Sequence, residues 1–330
     1  MRRLLLLAGL ASALGCATRP LDQQDWLAVT TPHFEVVSTL GRQATLELAR
    51  DAERFHQSVE FVLGLPLEAP AVPTRIYAFD DRTPMRPFAI RAESGYFLPT
   101  LREALIVLRT GDGWRDDATL ELRHAYVHYL LRRQPDVAVP LWFEEGAAEF
   151  LSTVAIHDDR MELGRFRADY VKLLGQRTWV PLPRILEATD LDGWPQTRVE
   201  LYHAEAWLFV HYLNFGMQGS AGRAALAKLL ERSAAGEPVA AAVRQAFGTG
   251  LDELDSAVQD YSDHANFDSV VVRGAPFEPA EVRPLAKSEG MARLGRLSLA
   301  LGRPEQAEGW FEKSVALDRR NANAQRQCAP

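Results

Sequence analysis

Residues 121–150 have the sequence ELRHAYVHYLLRRQPDVAVPLWFEEGAAEF, and this stretch holds the most informative pattern in the chain. It predicts two helices separated by a Pro-bounded loop. His124 and His128 are four residues apart, so one face of the first helix presents both imidazoles, one turn from each other. Glu145 and Glu149 have the same spacing on the second helix. The stretch therefore predicts a helix pair that carries imidazoles and carboxylates on facing surfaces.

The chemistry of these side chains predicts a metal site. A zinc ion that keeps one open coordination position is often held by two imidazoles and one carboxylate. We therefore predict that His124, His128 and Glu145 bind one zinc ion. Glu149 would accept the free ring N–H of a liganding histidine and so fix its orientation. The alternative is a charged, hydrogen-bonded His–Glu cluster without a metal ion, because histidines on a buried helix need polar partners.

The same stretch resembles the gluzincin zinc peptidases, especially the bacterial peptidase MA-like group. In that group the first helix has H-E-x-x-H and the second has W-x-x-E-G-x-A-E-[YF]. The matching residues here are His124, His128, Trp142, Glu145, Gly146, Ala148, Glu149 and Phe150. The resemblance implies an α+β fold in which a small mixed sheet and a zinc-helix domain precede a helical subdomain. It also implies that the partner is a peptide or protein.

The chain departs from the family pattern at Ala125, which stands where the family has its catalytic glutamate. In the family that glutamate takes a proton from zinc-bound water and passes it to the leaving amine. A methyl group does neither, and general acid–base catalysis is typically worth about 10²–10⁴ in rate. We therefore predict a pseudoenzyme that binds peptide or protein in the cleft. The loss is either natural or introduced to silence an enzyme.

Two alternatives to a pseudoenzyme remain open. Glu121 lies three residues before His124 and could act as a relocated base in an active zinc peptidase, although it is displaced by about one helical turn, roughly 5 Å. The other alternative is a metal-free structural protein of the cell envelope, in which the His–Glu cluster holds two helices together. The replacement at Ala125 favours loss of activity over its retention.

The resemblance also indicates which other segments border the cleft. Residues 104–108 predict the strand before the first helix, and in the family this strand borders the cleft and pairs with the backbone of a bound peptide. The resemblance therefore implies that residues 104–108 are the peptide-facing edge of the sheet, and the alternative is an ordinary apolar strand. Residues 201–213 predict a long apolar helix, similar to the family helix that closes the cleft behind the metal. Tyr202 or His203, near its start, is the candidate donor to a developing oxyanion.

The first residues predict export and membrane anchoring. Residues 1–15 combine a basic start with an apolar run that is too short to span a membrane, which is typical of a secretory signal peptide. The segment ends at Cys16 and resembles a bacterial lipobox, so Cys16 is the predicted lipidation site of a membrane-anchored cell-envelope lipoprotein. The alternative is a soluble secreted or periplasmic protein. If Cys16 is lipidated, Cys328 has no disulfide partner within the chain.

The sequence before residue 121 predicts a β-α-β opening. Residues 33–38 alternate as a strand does, residues 43–63 have apolar side chains at helical spacing, and residues 74–79 form a second strand. Two more strands are predicted at residues 95–97 and 103–109. Beyond the His–Glu stretch the pattern is helical, at residues 168–174, 183–188, 201–213, 223–232, 239–247 and 251–261.

We predict a tether at residues 16–30, the gluzincin-like domain at residues 31–263 and a Pro-punctuated linker at residues 264–287. Residues 288–321 predict a helical hairpin. The hairpin resembles one tetratricopeptide repeat through the spacing of Leu294, Gly295, Gly302, Ala307 and Phe311. A single repeat cannot bury its own apolar face, so the hairpin must dock on the main domain, on another copy or on a partner.

Composition narrows the classes of function. Hydrophobic residues make up 47% and charged residues 25% of the chain, as in a globular protein with a substantial core. A net charge of −7 without any Lys/Arg cluster argues against a nucleic-acid partner. The chain has no P-loop, no G-x-G-x-x-G, no G-x-S-x-G and no C-x-x-C motif. The His–Glu stretch is therefore the credible location for chemistry.

Overall fold

A computed structural model describes residues 19–64, 67, 72–80, 85–88, 95–100, 103–109, 120–134, 139–176, 179–218, 220–264, 267, 269–278 and 280–320. These residues form an α+β fold with two β-sheets. The predicted signal peptide at residues 1–15, the predicted lipidation site Cys16 and the second cysteine, Cys328, lie outside the described residues. No helix among the described residues is long and apolar enough to cross a membrane.

The strands are β1 Leu27–Thr30, β2 Phe34–Ser38, β3 Thr74–Phe79, β4 Gly95–Pro99, β5 Ala104–Arg109, β6 Ala155–His157, β7 Arg160–Leu163, β8 Val270–Arg273 and β9 Arg283–Pro284. The larger sheet has the order β4-β5-β3-β2-β1-β9, and the smaller has the order β6-β7-β8. β2, β3 and β5 are parallel, and all other pairs are antiparallel.

The helices are α1 Arg42–Leu63, α2 Leu120–Arg132, α3 Leu141–Ser152, α4 Ala168–Leu174, α5 Leu182–Glu187, α6 Gln196–His211, α7 Ala221–Ala234, α8 Val239–Phe247, α9 Leu251–His264, α10 Lys287–Ala300 and α11 Pro304–Leu317. Helix α1 connects β2 with β3, which confirms the predicted β-α-β opening. Helices α2 and α3 are the predicted pair, and α4 to α9 are the predicted helical region. Helix α6 continues into a π-helical turn at Tyr212–Gly216.

Both faces of the larger sheet are buried, because successive side chains of a strand point to opposite faces. One face joins the main core through residues aligned across β2, β3 and β5: Val36, Ile76 and Ile106. The next residue of each strand joins a second core on the opposite face: Val37, Tyr77 and Val107. β3 is therefore buried along its whole length, as expected for a parallel strand that is covered on both sides.

Helices α10 and α11 form the predicted C-terminal hairpin and cover one face of the larger sheet. Met291, Leu294 and Leu297 of α10 are buried in the second core. The Tyr77 hydroxyl donates a hydrogen bond to the carbonyl oxygen of Arg293 at 3.0 Å. Of the three surfaces on which the hairpin was expected to dock, it uses the main domain of its own chain.

The segment predicted as a linker, residues 264–287, contributes a strand to each sheet. β8 pairs with β7 in the smaller sheet, and β9 pairs with β1 at the edge of the larger one. β9 has only two residues and includes Pro284, so its pattern is too short to be recognised in a sequence. These pairs bring the start of the hairpin onto the larger sheet.

Helices α3 and α6 approach each other closely because Gly146 has no side chain. A Cβ atom added at Gly146 would lie 2.4 Å from the carbonyl oxygen of Ala206 on α6. A larger residue would have to push the two backbones apart. The close approach sets the neighbouring Glu145 beside α6, where His203 lies.

The expectation that residues 104–108 form the free edge of the sheet is wrong. These residues belong to β5, which pairs with β3 on one side and with β4 on the other. Among the described strands, β4 stands at that edge. Phe97 of β4 packs against Tyr129 of α2, with their ring centroids 5.4 Å apart. β4 is therefore the edge strand that borders the histidine helix.

Candidate metal centre

The side chains of His124, His128 and Glu145 converge on one point between α2 and α3. The Nε2 atoms of the two histidines are 2.9 Å apart. Oε2 of Glu145 lies 3.7 Å from Nε2 of His124 and 3.5 Å from Nε2 of His128. The i,i+4 spacing on α2 aligns the imidazoles, and the close contact of α3 with α6 positions the carboxylate. These three residues could hold a metal ion.

The size of this triangle fits a small divalent cation. A tetrahedral ion with bonds of about 2.0–2.1 Å holds neighbouring ligand atoms roughly 3.3 Å apart. The three observed edges, 2.9, 3.5 and 3.7 Å, bracket that value. The His124 side chain has 25% of its surface exposed, so solvent and solutes can reach the centre.

Two further carboxylates face the outer nitrogens of the imidazoles. Oε1 of Glu144 lies 2.7 Å from Nδ1 of His128 and accepts its hydrogen bond. Oε1 of Glu149 lies 3.4 Å from Nδ1 of His124. A proton on each Nδ1 directs both Nε2 lone pairs toward the point of convergence, which is the tautomer that a metal site requires.

Glu144 and Glu149 are in turn held by arginines. Nε of Arg132 donates to Glu144 at 2.5 Å, and Nη1 of Arg167 donates to Glu149 at 2.8 Å. The Arg167 guanidinium also lies over the ring of Tyr170, 4.0 Å from its centroid. These contacts fix the carboxylates that orient the histidine rings.

Burial and neighbouring charges shift the pKa values of the clustered side chains in different directions. Burial alone would lower the pKa of His128, but its contacts with Glu145 and Glu144 outweigh burial and raise that pKa. Burial lowers the pKa of His124, and the charge of Glu149 offsets this only in part. Burial alone would raise the pKa of Glu145, but His128 and its neighbours lower it. The cluster therefore has an ionised carboxylate at its centre.

Of the two residues considered as oxyanion donors, His203 lies at the centre and Tyr202 does not. Nδ1 of His203 is 3.4 Å from Oε2 of Glu145 and 3.7 Å from Oε1 of Glu149. This nitrogen is buried and has no hydrogen-bond partner within the described residues. The Tyr202 hydroxyl instead donates to the carbonyl oxygen of Ile185 at 3.4 Å. His203 is thus the side chain of this pair that can interact with a bound group.

The position of the missing glutamate is filled by the half-buried methyl group of Ala125. Glu121 is exposed and makes no hydrogen bond or ion pair with a described residue. Glu144 and Glu149 face the Nδ1 atoms, on the side of each ring away from the converging Nε2 atoms. No carboxylate of the described cluster therefore lies on the Nε2 side of the rings except Glu145.

Sequence reasoning missed Glu144 and Arg167. Glu144 directly precedes Glu145 in the sequence. Sequence reasoning did not show that the Glu144 side chain faces the histidine helix. Arg167 lies in the segment between β7 and α4, where no periodic pattern indicates a direction.

A search of protein-family models and a search of curated proteins gave no match to this chain. The geometry of the metal centre is therefore the foundation for a functional proposal.

Proposed function

We propose that this chain is a cell-envelope lipoprotein whose gluzincin-like domain binds zinc and a peptide but has lost peptidase activity. The observation that carries the proposal is the convergence of His124, His128 and Glu145 next to Ala125. The resemblance of residues 121–150 to the peptidase MA-like group supports the family. The signal-like residues 1–15 and Cys16 support the location.

Zinc is the metal that this donor set favours. Two imidazoles and one carboxylate leave a fourth tetrahedral position open, as in zinc sites that act on carbonyl groups. When bound, zinc would act as a Lewis acid toward a peptide carbonyl oxygen. Glu144 is within hydrogen-bond distance of Nδ1 of His128 and Glu149 lies 3.4 Å from Nδ1 of His124, positions from which carboxylates favour the required tautomer. His203, whose buried Nδ1 has no hydrogen-bond partner among the described residues, can contact the same bound group.

The edge of β4 supports peptide binding. An extended peptide can add to an exposed strand edge through backbone hydrogen bonds. β4 is the edge strand next to α2 among the described strands, and Phe97 joins it to Tyr129, the residue after His128. A peptide on this edge would lie beside α2, the helix that carries both histidines.

The absence of a base supports the lack of turnover. Ala125 carries no proton acceptor, and Glu121 is exposed and outside the cluster. An active peptidase with Glu121 as its base is the alternative, and Glu121→Gln would then abolish turnover. Loss of general base catalysis alone would lower the rate by about 10²–10⁴.

A metal-free structural role is the second candidate, and one observation favours it. The contact of 2.9 Å between the two Nε2 atoms and the contact of 2.7 Å between His128 and Glu144 could form a hydrogen-bonded chain without an ion. In this case the cluster would join α2 to α3 and have no ligand. Metal analysis separates the two roles.

The proposal is tested by restoring the glutamate. Ala125→Glu should create proteolysis of a denatured protein substrate that a chelator stops and zinc restores, while the unaltered protein shows none. Ala125→Gln has the same size but cannot accept the proton, so it should remain inactive. Cleavage by the unaltered protein, or none by Ala125→Glu when zinc is bound, would contradict the proposal.

A further inference from the structure

A cavity of about 360 Å³ opens between α5 and the start of α6, away from the Nε2 atoms of the metal centre. Its walls are aromatic, cationic and proline side chains: Trp179, Trp194, Arg184, Arg198, Pro181 and Pro195. Its volume lies at the lower end of the range of ligand pockets, about 300–1,000 Å³. The cavity is therefore of a size for one or two amino-acid side chains.

The charged groups of this cavity are cationic. Arg184 is exposed, lies over the ring of Trp194 at 5.3 Å from its centroid, and forms no salt bridge with a described residue. Arg198 lies in the first turn of α6, where the helix dipole also favours an anion. No acidic side chain lines the cavity within the described part of the chain. A carboxylate is the group that the guanidinium of Arg184 would pair with.

The two indoles supply the apolar part of the cavity. Trp179 and Trp194 are both partly buried and keep part of their surface open to the cavity. Indole faces pack against aromatic or aliphatic side chains, and the apolar area that they bury stabilises the contact. The combination of indoles and guanidinium groups suits a carboxylate that lies next to an apolar ring.

The cavity is separated from the metal centre by one aromatic ring. Trp194 packs edge-on against Tyr202, with ring centroids 5.7 Å apart, and Tyr202 packs edge-on against His203 at 6.1 Å. His203 in turn lies 3.4 Å from Glu145. Trp194 is therefore two ring contacts away from the histidine that faces Glu145.

We propose that this cavity is a second binding pocket, which takes an acidic residue and an adjacent aromatic residue of a bound peptide. The carboxylate pairs with Arg184, and the aromatic ring packs on Trp194. This assignment rests on the proposed function in taking the ligand to be a peptide. The pocket itself contains no residue of the metal centre.

The test is a titration of the purified protein with N-acetyl-Phe-Glu-amide and N-acetyl-Phe-Gln-amide, followed by ligand-observed NMR. The Glu dipeptide should bind about tenfold or more tightly than the Gln dipeptide, since a charged hydrogen bond is lost. Arg184→Gln should remove this preference. Arg244→Gln, which removes an exposed arginine from α8, should leave it unchanged.

The titration is repeated with glucuronate and with protein from which metal has been removed by a chelator. The pocket assignment would be overturned if the two dipeptides bind equally, or if Arg184→Gln and Arg244→Gln lose the preference for the Glu dipeptide to the same extent. Binding of glucuronate in place of the Glu dipeptide would overturn it too. Retained preference for the Glu dipeptide in the chelated protein would support it. A purified protein that never binds zinc but keeps this preference would overturn the proposed function alone.

Discussion

The Nε2 atoms of His124 and His128, one turn apart on α2, lie 2.9 Å from each other. With a proton on each Nδ1, the Nε2 lone pairs come close together at this distance and repel. An electrophile between them, either a proton or a metal ion, removes the repulsion. Glu145 adds a third donor, so the three residues could hold a metal ion.

Glu144 should strengthen metal binding without touching the metal. Glu144→Gln removes the charged acceptor at Nδ1 of His128, and loss of such an outer partner typically costs about 10–100-fold in metal affinity. Competition with a zinc chelator measures this affinity. Glu121→Gln removes an exposed carboxylate of α2 and should have no effect. Equal affinities in the two variants would show that Glu144 does not orient the ring.

Gly146 should be required for the packing of α3 on α6. The added methyl group of Gly146→Ala would lie 2.4 Å from Ala206 O, and such overpacking typically lowers the free energy of unfolding by about 1–3 kcal/mol. Denaturant unfolding measures the change. Gly309→Ala meets nothing within 4 Å and lies inside α11, so it should raise stability by up to about 1 kcal/mol. An unchanged stability of Gly146→Ala would contradict the close contact.

Glu205 should make stability fall as pH rises. Burial raises its pKa to about 8, although the N–H of Val180 donates to its Oε1 at 2.7 Å and lowers that pKa in part. Between the unfolded pKa, near 4.5, and about 8, the folded chain holds a proton that the unfolded chain has released. The stabilising contribution is therefore full below pH 4.5 and is lost as pH approaches 8.

Glu205→Gln mimics the protonated side chain and should remove this dependence. A pKa difference of one is worth about 1.4 kcal/mol, so the variant should gain roughly 3 kcal/mol over the unaltered protein between pH 5 and pH 8. Thermal unfolding across this range gives the measurement. Glu200→Gln changes an exposed residue of the same helix and should leave the pH profile as it is. Parallel profiles for Glu205→Gln and the unaltered protein would contradict the buried, protonated state.

Leu294 should anchor the C-terminal hairpin to the sheet. It is fully buried in the second core, so Leu294→Ala should cost roughly 2–5 kcal/mol of unfolding free energy. Leu299 lies on the same helix but is 41% exposed, and Leu299→Ala should change stability by no more than about 0.5 kcal/mol. Denaturant unfolding compares the two variants. Equal costs would show that the hairpin does not depend on this contact.

Local periodicity was enough to predict the elements that form the centre. The i,i+4 spacings of His124 with His128 and of Glu145 with Glu149 define helix faces directly. Sequence could not choose between Tyr202 and His203, because adjacent residues of a helix point about 100° apart and only the packing of α6 sets its rotation. The packing shows that His203 faces Glu145.

Local sequence patterns could not predict which distant segments pair or pack with each other. Residues 104–108 have the composition of any buried strand, and only pairing with Gly95–Pro99 shows that β5 is internal. The hairpin pattern predicts an apolar face but does not indicate which surface packs against it. β9 has two residues, so its pairing with β1 depends on the docked hairpin rather than on its own sequence.

Metal content measures the central claim most directly. The purified protein is dialysed against zinc and then against buffer, and its metal content is measured by elemental mass spectrometry. It should retain one zinc ion per chain. His128→Ala should retain none, since a ligand and its contact with Glu144 are both removed. A folded protein that keeps no zinc, or a His128→Ala variant that keeps as much as the unaltered chain, would contradict the metal centre.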